Sequence, residues 1–304
     1  MTDISGLGEP LYTPPNAVID IVFVHGLGGH RINSWTFQPT DEFPKKIFWP
    51  KDLLPKVCNN ARILSFGYDS RFVDFFPIFS RKTLPVGTTV DDHGSALLQS
   101  LAGLRSTTSS SDRPIIFIAH SLGGLVVASA LARNHGVKES GKQLVDSTFG
   151  IVFLGTPFEG SAKAGWGRAA LRYVSLVAST KKDGVKDLEE RSQKLIEINS
   201  AFSKLLKDRD RDRMRQPLEV ACFFEEYPTF VAGKDIGIIV PKSSAGSLAG
   251  IDPVPISANH AGLSKFAGTF TNGYVMVSKL IVEWINSLGD ALTETTGAVK
   301  SSPV

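Results

Sequence analysis

Ser121 stands in the run Ile115-Ile116-Phe117-Ile118-Ala119-His120-Ser121-Leu122-Gly123-Gly124-Leu125-Val126-Val127, between four apolar, mostly β-branched residues and a Gly-Gly pair that opens an apolar stretch of helical character. A serine hydroxyl is a poor nucleophile until an imidazole takes its proton, and the imidazole needs an acid to fix its tautomer and stabilise its charged form. The chemistry this run points to is therefore nucleophilic acyl transfer, with a histidine and a carboxylate supplied from elsewhere. Strand, sharp turn and helix are what such a serine requires, because a strained apex lifts the hydroxyl off the sheet and frees the next N–H. Small residues must sit two before and two after, where strand and helix approach closely. Here these are Ala119 and Gly123, so the element reads A-H-S-L-G where the usual pattern is G-x-S-x-G. A buried turn with a capping serine would explain the pentapeptide alone, but it has no need of His120 or of the double glycine.

In α/β-hydrolases the chain order is serine, acid, histidine. Only His135 and His260 follow Ser121. His135 sits just past the helix after the serine, roughly 20 Å away at 1.5 Å per residue, which leaves His260 as the base. The acid belongs at the end of the strand before the last. Glu225 follows LEVACFF directly and is the first choice; Asp235, in a Gly-Lys-Asp turn before Ile-Val-Pro, is the alternative, Glu226 the third and Asp252 a weak fourth. An oxyanion needs backbone donors. The glycine-rich turn His25-Gly26-Leu27-Gly28-Gly29-His30 offers the Leu27 N–H, and the turn at Ser121 offers that of Leu122. A phosphate cradle would want G-x-x-x-x-G-K-[ST] or G-x-G-x-x-G, and neither fits. His25 reads as a loop organiser rather than a base.

Buried strands of the near-continuous apolar kind position these groups: Ala17 to Val24, Ala61 to Phe66, the strand before Ser121, Thr148 to Leu154, Leu218 to Phe224, and a short one around Val254 to Ser257. Helical patterns alternate with them: Lys51 to Val57, Val90 to Arg105, the stretch after Ser121, and an amphipathic closing helix from Asn272 to Leu288. This alternation predicts one α/β domain over residues 18–288 with a mostly parallel central sheet flanked by helices. Residues 1–17 read as an extended lead-in, and residues 162–216, rich in charge, as a helical cap insertion over the active-site edge. The run Lys207 to Arg213 alternates in charge and reads as a solvated helical face. Arg71 to Val86 reads as an aromatic loop, and residues 289–304 as a polar tail or linker. Trp35, Phe37, Phe43, Phe48 and Trp49 read as core before they read as an acyl-binding mouth.

Composition narrows the classes further. The 304 residues carry 33 basic and 30 acidic side chains, a net charge of +3 that supports no nucleic-acid partner. Cys58 and Cys222 are too few and too far apart for a disulfide framework or a cysteine-based zinc site. Neither a signal sequence at Met1 to Pro10 nor an apolar run of about 18 residues is visible, so a cytoplasmic protein is expected.

The segments IVFVHGLGGHRINSW, FWPKDLLP, ARILSFGYDS, IAHSLGGLVV, IVFLGTPFEGS, CFFEE and ANHAGLSKF occur in this order. Over residues 18–288 the chain thereby resembles the serine-esterase/lipase-like α/β-hydrolase family that includes the mitochondrial serine-active-site-containing proteins. It is similar to the N-terminal hydrolase domains of fungal NOD-like receptors and, more distantly, to the GPI inositol-deacylases. The resemblance implies Ser121 as nucleophile, His260 as base and a glutamate at Glu225, no cofactor or metal, and an ester or lipid substrate. It also implies peripheral contact with a membrane or mitochondrion as a second location, and self-association or a downstream nucleotide-binding domain as partner. In the receptor context, hydrolysis would be oligomerisation-dependent or absent and the domain a signalling effector.

Overall fold

The computed structural model describes residues 5–70, 89–132, 139–158, 186–212, 215–246, 248 and 250–299. Its centre is a six-stranded sheet of β1 (Ile19–Val24), β2 (Ala61–Phe66), β3 (Ile115–His120), β4 (Thr148–Leu154), β5 (Glu219–Glu225) and β6 (Val254–Ile256). The order across the sheet is β6-β5-β4-β3-β1-β2, and every neighbouring pair is parallel. All six carboxyl ends therefore open on one edge, where ligands bind in open α/β sheets.

Successive strand residues point to opposite faces, and each face has its own core. Val22, Val24, Phe66, Phe117 and Ala119 pack under α1 (Val90–Thr107) and α2 (Leu122–Ala132). Ile21, Phe23, Ile116, Ile118 and Val152 meet Trp35, Trp49 and the helix that closes the chain, whose Val277, Ile281 and Trp284 complete that layer. Trp35 and Trp49 are fully buried, so the first aromatic segment is core at these two positions. The α1 helix opens on a capping box in which the Thr89 and Asp92 side chains satisfy each other's backbone N–H. Between α2 and β4 lies a short helix, α3 (Glu139–Ser147).

Several sequence expectations change. The segment expected to form a cap is, over its described part, helix α4 (Lys186–Arg211), which lies against α2 as a layer on the sheet. Leu195, Ile198 and Phe202 recur at helical spacing and join the core, and Phe202 stacks on Phe158. An apolar stripe of that kind must be buried, and the sheet face is where it goes. At the far end of α4, Arg209 is buried rather than solvated; its guanidinium donates to the Val145, Asp146 and Thr148 carbonyls at the start of β4. The closing helix, α5 (Asn272–Val299), runs past the expected end at Leu288 into the segment read as a tail. The lead-in pairs with β2 through Gly6–Gly67 and Tyr12–Ile63 bridges. The aromatic loop Arg71 to Val86, the first part of the expected cap and His135 lie outside the described residues. Among the described residues no helix is long and apolar enough to cross a membrane.

Candidate active site

At the carboxyl end of β3 the chain turns sharply, and Ser121 adopts φ +53°. A positive φ is costly for a residue with a Cβ and persists only where the surroundings enforce it. Here the Ser121 N–H donates to Leu154 O at 2.8 Å, anchoring the turn to β4. A Cβ on Gly123 would lie 2.3 Å from the His25 carbonyl oxygen, and one on Gly26 2.7 Å from Ser121 Cβ. The two glycines let the loop after β1 and the first turn of α2 close around the serine.

His260 follows β6 on a loop, and Glu225 is the last residue of β5. Ser121 Oγ lies 2.9 Å from His260 Nε2, and His260 Nδ1 lies 3.3 Å from Glu225 Oε2. Glu225 and His260 are both buried, each 1% exposed. The other carboxylate oxygen, Oε1, accepts the Ile239 and Val240 backbone N–H groups at 2.8 and 2.7 Å. Burial pushes the Glu225 carboxyl up, but the charge of His260, its hydrogen bond and the backbone donors outweigh that, and the group settles below its ordinary value. An ionised carboxylate accepts a hydrogen bond from His260 Nδ1–H, which leaves Nε2 as the acceptor for the Ser121 hydroxyl.

The other candidate acids are elsewhere. Asp235 lies in a separate two-stranded ribbon, Thr229–Val231 with Lys234–Gly237, where its Oδ1 accepts the Gly237 N–H. Glu226 accepts the Ser257 hydroxyl, and Asp252 pairs with Lys242 at the surface. The stretch that suggested Asp235 does serve the carboxylate, through the N–H groups of Ile239 and Val240. Backbone donors leave no mark on residue type, so sequence reasoning passed over them.

Leu122 is the first residue of α2, and Leu27 stands in the glycine turn beside Ser121. That turn rests on His25, whose Nδ1–H donates to Gly26 O at 2.9 Å and whose ring stacks on Tyr68 with centroids 4.4 Å apart. The Tyr68 hydroxyl donates to His25 O at 2.6 Å. Burial pushes the His25 imidazole down to about 4, so it is neutral at pH 7. His120, preceding the serine, is likewise pushed down by burial to about 3, and its Nε2 lies 2.9 Å from His260 O. Tyr68 and His120 carried no such assignment in the sequence. A cavity of about 200 Å³ adjoins the glycine turn, lined among others by Leu27, His30, His120 and Lys265. Among the described residues no three His, Cys, Asp or Glu side chains gather in a metal-holding group.

The model of the Alpha/beta hydrolase family matches residues 21–254. Protein SERAC1 of Homo sapiens is 29% identical to this chain over 259 residues, 81% of this chain and 36% of that protein. Protein SERAC1 of Mus musculus is 30% identical over the same shares. The chain thus spans about a third of the length of the curated relatives it matches. Among solved structures, Bacillus licheniformis lipase BlEst2 in mature form is similar with TM-score 0.48 and 18% identity, covering 86% of this chain and 93% of that one. The Pyrococcus furiosus esterase PF2001 has TM-score 0.48 and 15% identity, over 89% and 82%.

Proposed function

This chain belongs to the alpha/beta hydrolase family, and on that premise we propose that it is a serine hydrolase cleaving carboxylic esters, of lipid or acyl type, through an acyl-Ser121 intermediate. One observation carries the reading: a serine at positive φ on the carboxyl edge of a parallel sheet, its Oγ 2.9 Å from the Nε2 of a buried histidine whose Nδ1 faces a buried carboxylate. In the proposed cycle His260 takes the Ser121 proton as Oγ attacks the ester carbonyl. Glu225 stabilises the imidazolium, and the Leu27 and Leu122 N–H groups bind the oxyanion. His260 then returns the proton to the leaving alcohol. Water, deprotonated by the same imidazole, releases the acid from Ser121.

Labelling of the purified protein with a fluorophosphonate probe tests the reading. Wild type is expected to label and Ser121→Ala not to; Glu225→Ala is expected to label far more slowly than Asp235→Ala. A folded wild type that takes no probe and hydrolyses no short-chain or phospholipid ester would overturn it.

A further inference from the structure

His260 sits on a loop, yet its ring must hold a fixed place. Two consecutive residues of the nucleophile turn grip it at different points. Ser121 Oγ meets the ring at Nε2, and the side chain of His120, the preceding residue, meets the backbone carbonyl of the same histidine, both at 2.9 Å. Adjacent Cα atoms are held about 3.8 Å apart, so the two contacts together define where His260 stands relative to the nucleophile. On its amide side, the His260 N–H donates to Thr229 Oγ1 at 3.3 Å. The base is thus held by side chains from two elements that are remote from it in the chain.

We propose that His120 is a positioning residue for the reaction: a neutral imidazole, protonated at Nε2, that clamps the His260 carbonyl and so keeps His260 Nε2 in reach of Ser121 Oγ. The proposal rests on the reading of Ser121 and His260 as nucleophile and base. A carbonyl only accepts, so Nε2 must carry the proton. His120 is 8% exposed, and its ring packs edge-on against the fully buried Trp35 at 6.5 Å between centroids, which limits its movement. Neutrality matters as well, because the His120 and His260 rings are 5.1 Å apart and a cation there would oppose the imidazolium that forms on His260 during attack. A lysine could donate to the same carbonyl, but it would bring that charge.

Three substitutions separate a clamp from mere packing. His120→Phe keeps the ring and removes the donor; His120→Gln places an amide N–H at about the depth of Nε2; His120→Asn places one only at the depth of Nδ1. If misplacing the base costs what such shifts usually do, kcat falls about 100-fold in His120→Phe and His120→Asn, with KM within about threefold, and recovers to within about fivefold of wild type in His120→Gln. Equal kcat in the Asn and Gln variants, or a His120→Phe variant within twofold of wild type, would overturn the proposal. Should His120→Phe not fold, the Asn and Gln pair decides. A second arm does not depend on catalysis: long-range ¹H–¹⁵N spectra of histidine-labelled wild type should show His120 neutral and protonated at Nε2 from pH 5 to 9. A ring protonated at Nδ1, or titrating in that range, sinks the clamp whatever the activity. A His120 in the expected state within a protein that labels no serine would count against the hydrolase reading instead.

Discussion

Two carboxylates are buried in this sheet at opposite edges, Asp20 near the start of β1 and Glu225 at the end of β5, 0% and 1% exposed. Asp20 faces three guanidiniums. Arg62, its register partner on β2, donates from Nε and Nη2 at 2.8 Å each, Arg105 at 2.8 Å and Arg113 at 3.1 Å. Every partner is a permanent cation, and the Arg62 and Arg105 guanidiniums are themselves tied to hydroxyls and carbonyls. Among the described residues no guanidinium pairs with Glu225. Two backbone N–H groups satisfy one oxygen, and the other faces an imidazole, the group whose charge changes near neutral pH. A buried acid surrounded by fixed cations is a fastening; one left facing a titratable partner is equipped to stabilise a charge that comes and goes. Burial alone does not distinguish the two, but the identity of the partners does.

Removing the charge from each carboxylate without changing its shape sharpens the contrast. Glu225→Gln should fold normally and lose about 10⁴-fold in kcat, as triads do when the acid is made neutral, measured on any ester the wild type accepts. Asp20→Asn should do the reverse. Leaving two buried guanidiniums, Arg62 and Arg105, and the partly exposed one of Arg113 without their carboxylate costs about 3 to 5 kcal/mol, read from urea unfolding, while kcat of the folded protein stays within twofold. Loss of activity in Asp20→Asn at full stability, or of stability in Glu225→Gln at full activity, would break the distinction.

Acid should act on the carboxyl edge first. His25 and His120, held down to about 4 and about 3, stay neutral in the folded protein while the unfolded chain binds a proton at the ordinary 6.5. The unfolded state therefore holds more protons through this window, and stability falls as pH drops from about 6.5 toward 3. Glu225, held below its ordinary value, adds to the loss in the carboxylate range. Each imidazole contributes up to about 1.4 kcal/mol per pH unit, so His120→Gln should flatten the slope between pH 6 and 4.5 by that amount. A urea midpoint unchanged from pH 7 to 4.5 would contradict the assignment.

The two edges differ also in how far their roles could be read from residue order. Six strands, their alternation with helices and the turn at Ser121 were legible because buried parallel strands are near-continuous apolar runs with sharp ends. His260 followed from chain order. Residue order ranks Glu225, the first residue out of LEVACFF, ahead of Asp235 in its Gly-Lys-Asp turn but leaves both open; in the structure Asp235 turns into its own ribbon and accepts the Gly237 N–H. Helix α4 is legible as a helix but its place on the sheet is not, because its charges outnumber the Leu195, Ile198 and Phe202 stripe that packs there. The Arg209 and His120 contacts end on carbonyls, which every residue has, so no residue type announces the partner. The Asp20 cluster is silent for another reason: Arg62 and Arg105 look like any surface arginine until register and helix packing bring them to β1.

The smallest effect concerns the Leu27 turn, where the contrast between fastening and chemistry narrows. Tyr68 stacks on His25 and donates its hydroxyl to the carbonyl of that residue, one peptide before Gly26. The contacts described for the pair are to each other and to the backbone of the turn, which places it with the fastenings. By position it holds the loop that carries one proposed oxyanion donor. Tyr68→Phe keeps the stack and removes one hydrogen bond, worth about 1 kcal/mol. If the bond only stabilises, that amount appears in unfolding and kcat is unchanged. If it aims the Leu27 N–H, that amount is lost from the transition state and kcat falls by about fivefold at unchanged KM. The second outcome is expected, because Gly26 is packed closely against Ser121, so a shift of the loop changes the place of the Leu27 N–H relative to the serine. An unfolding penalty with no change in kcat would return Tyr68 to the class of Asp20.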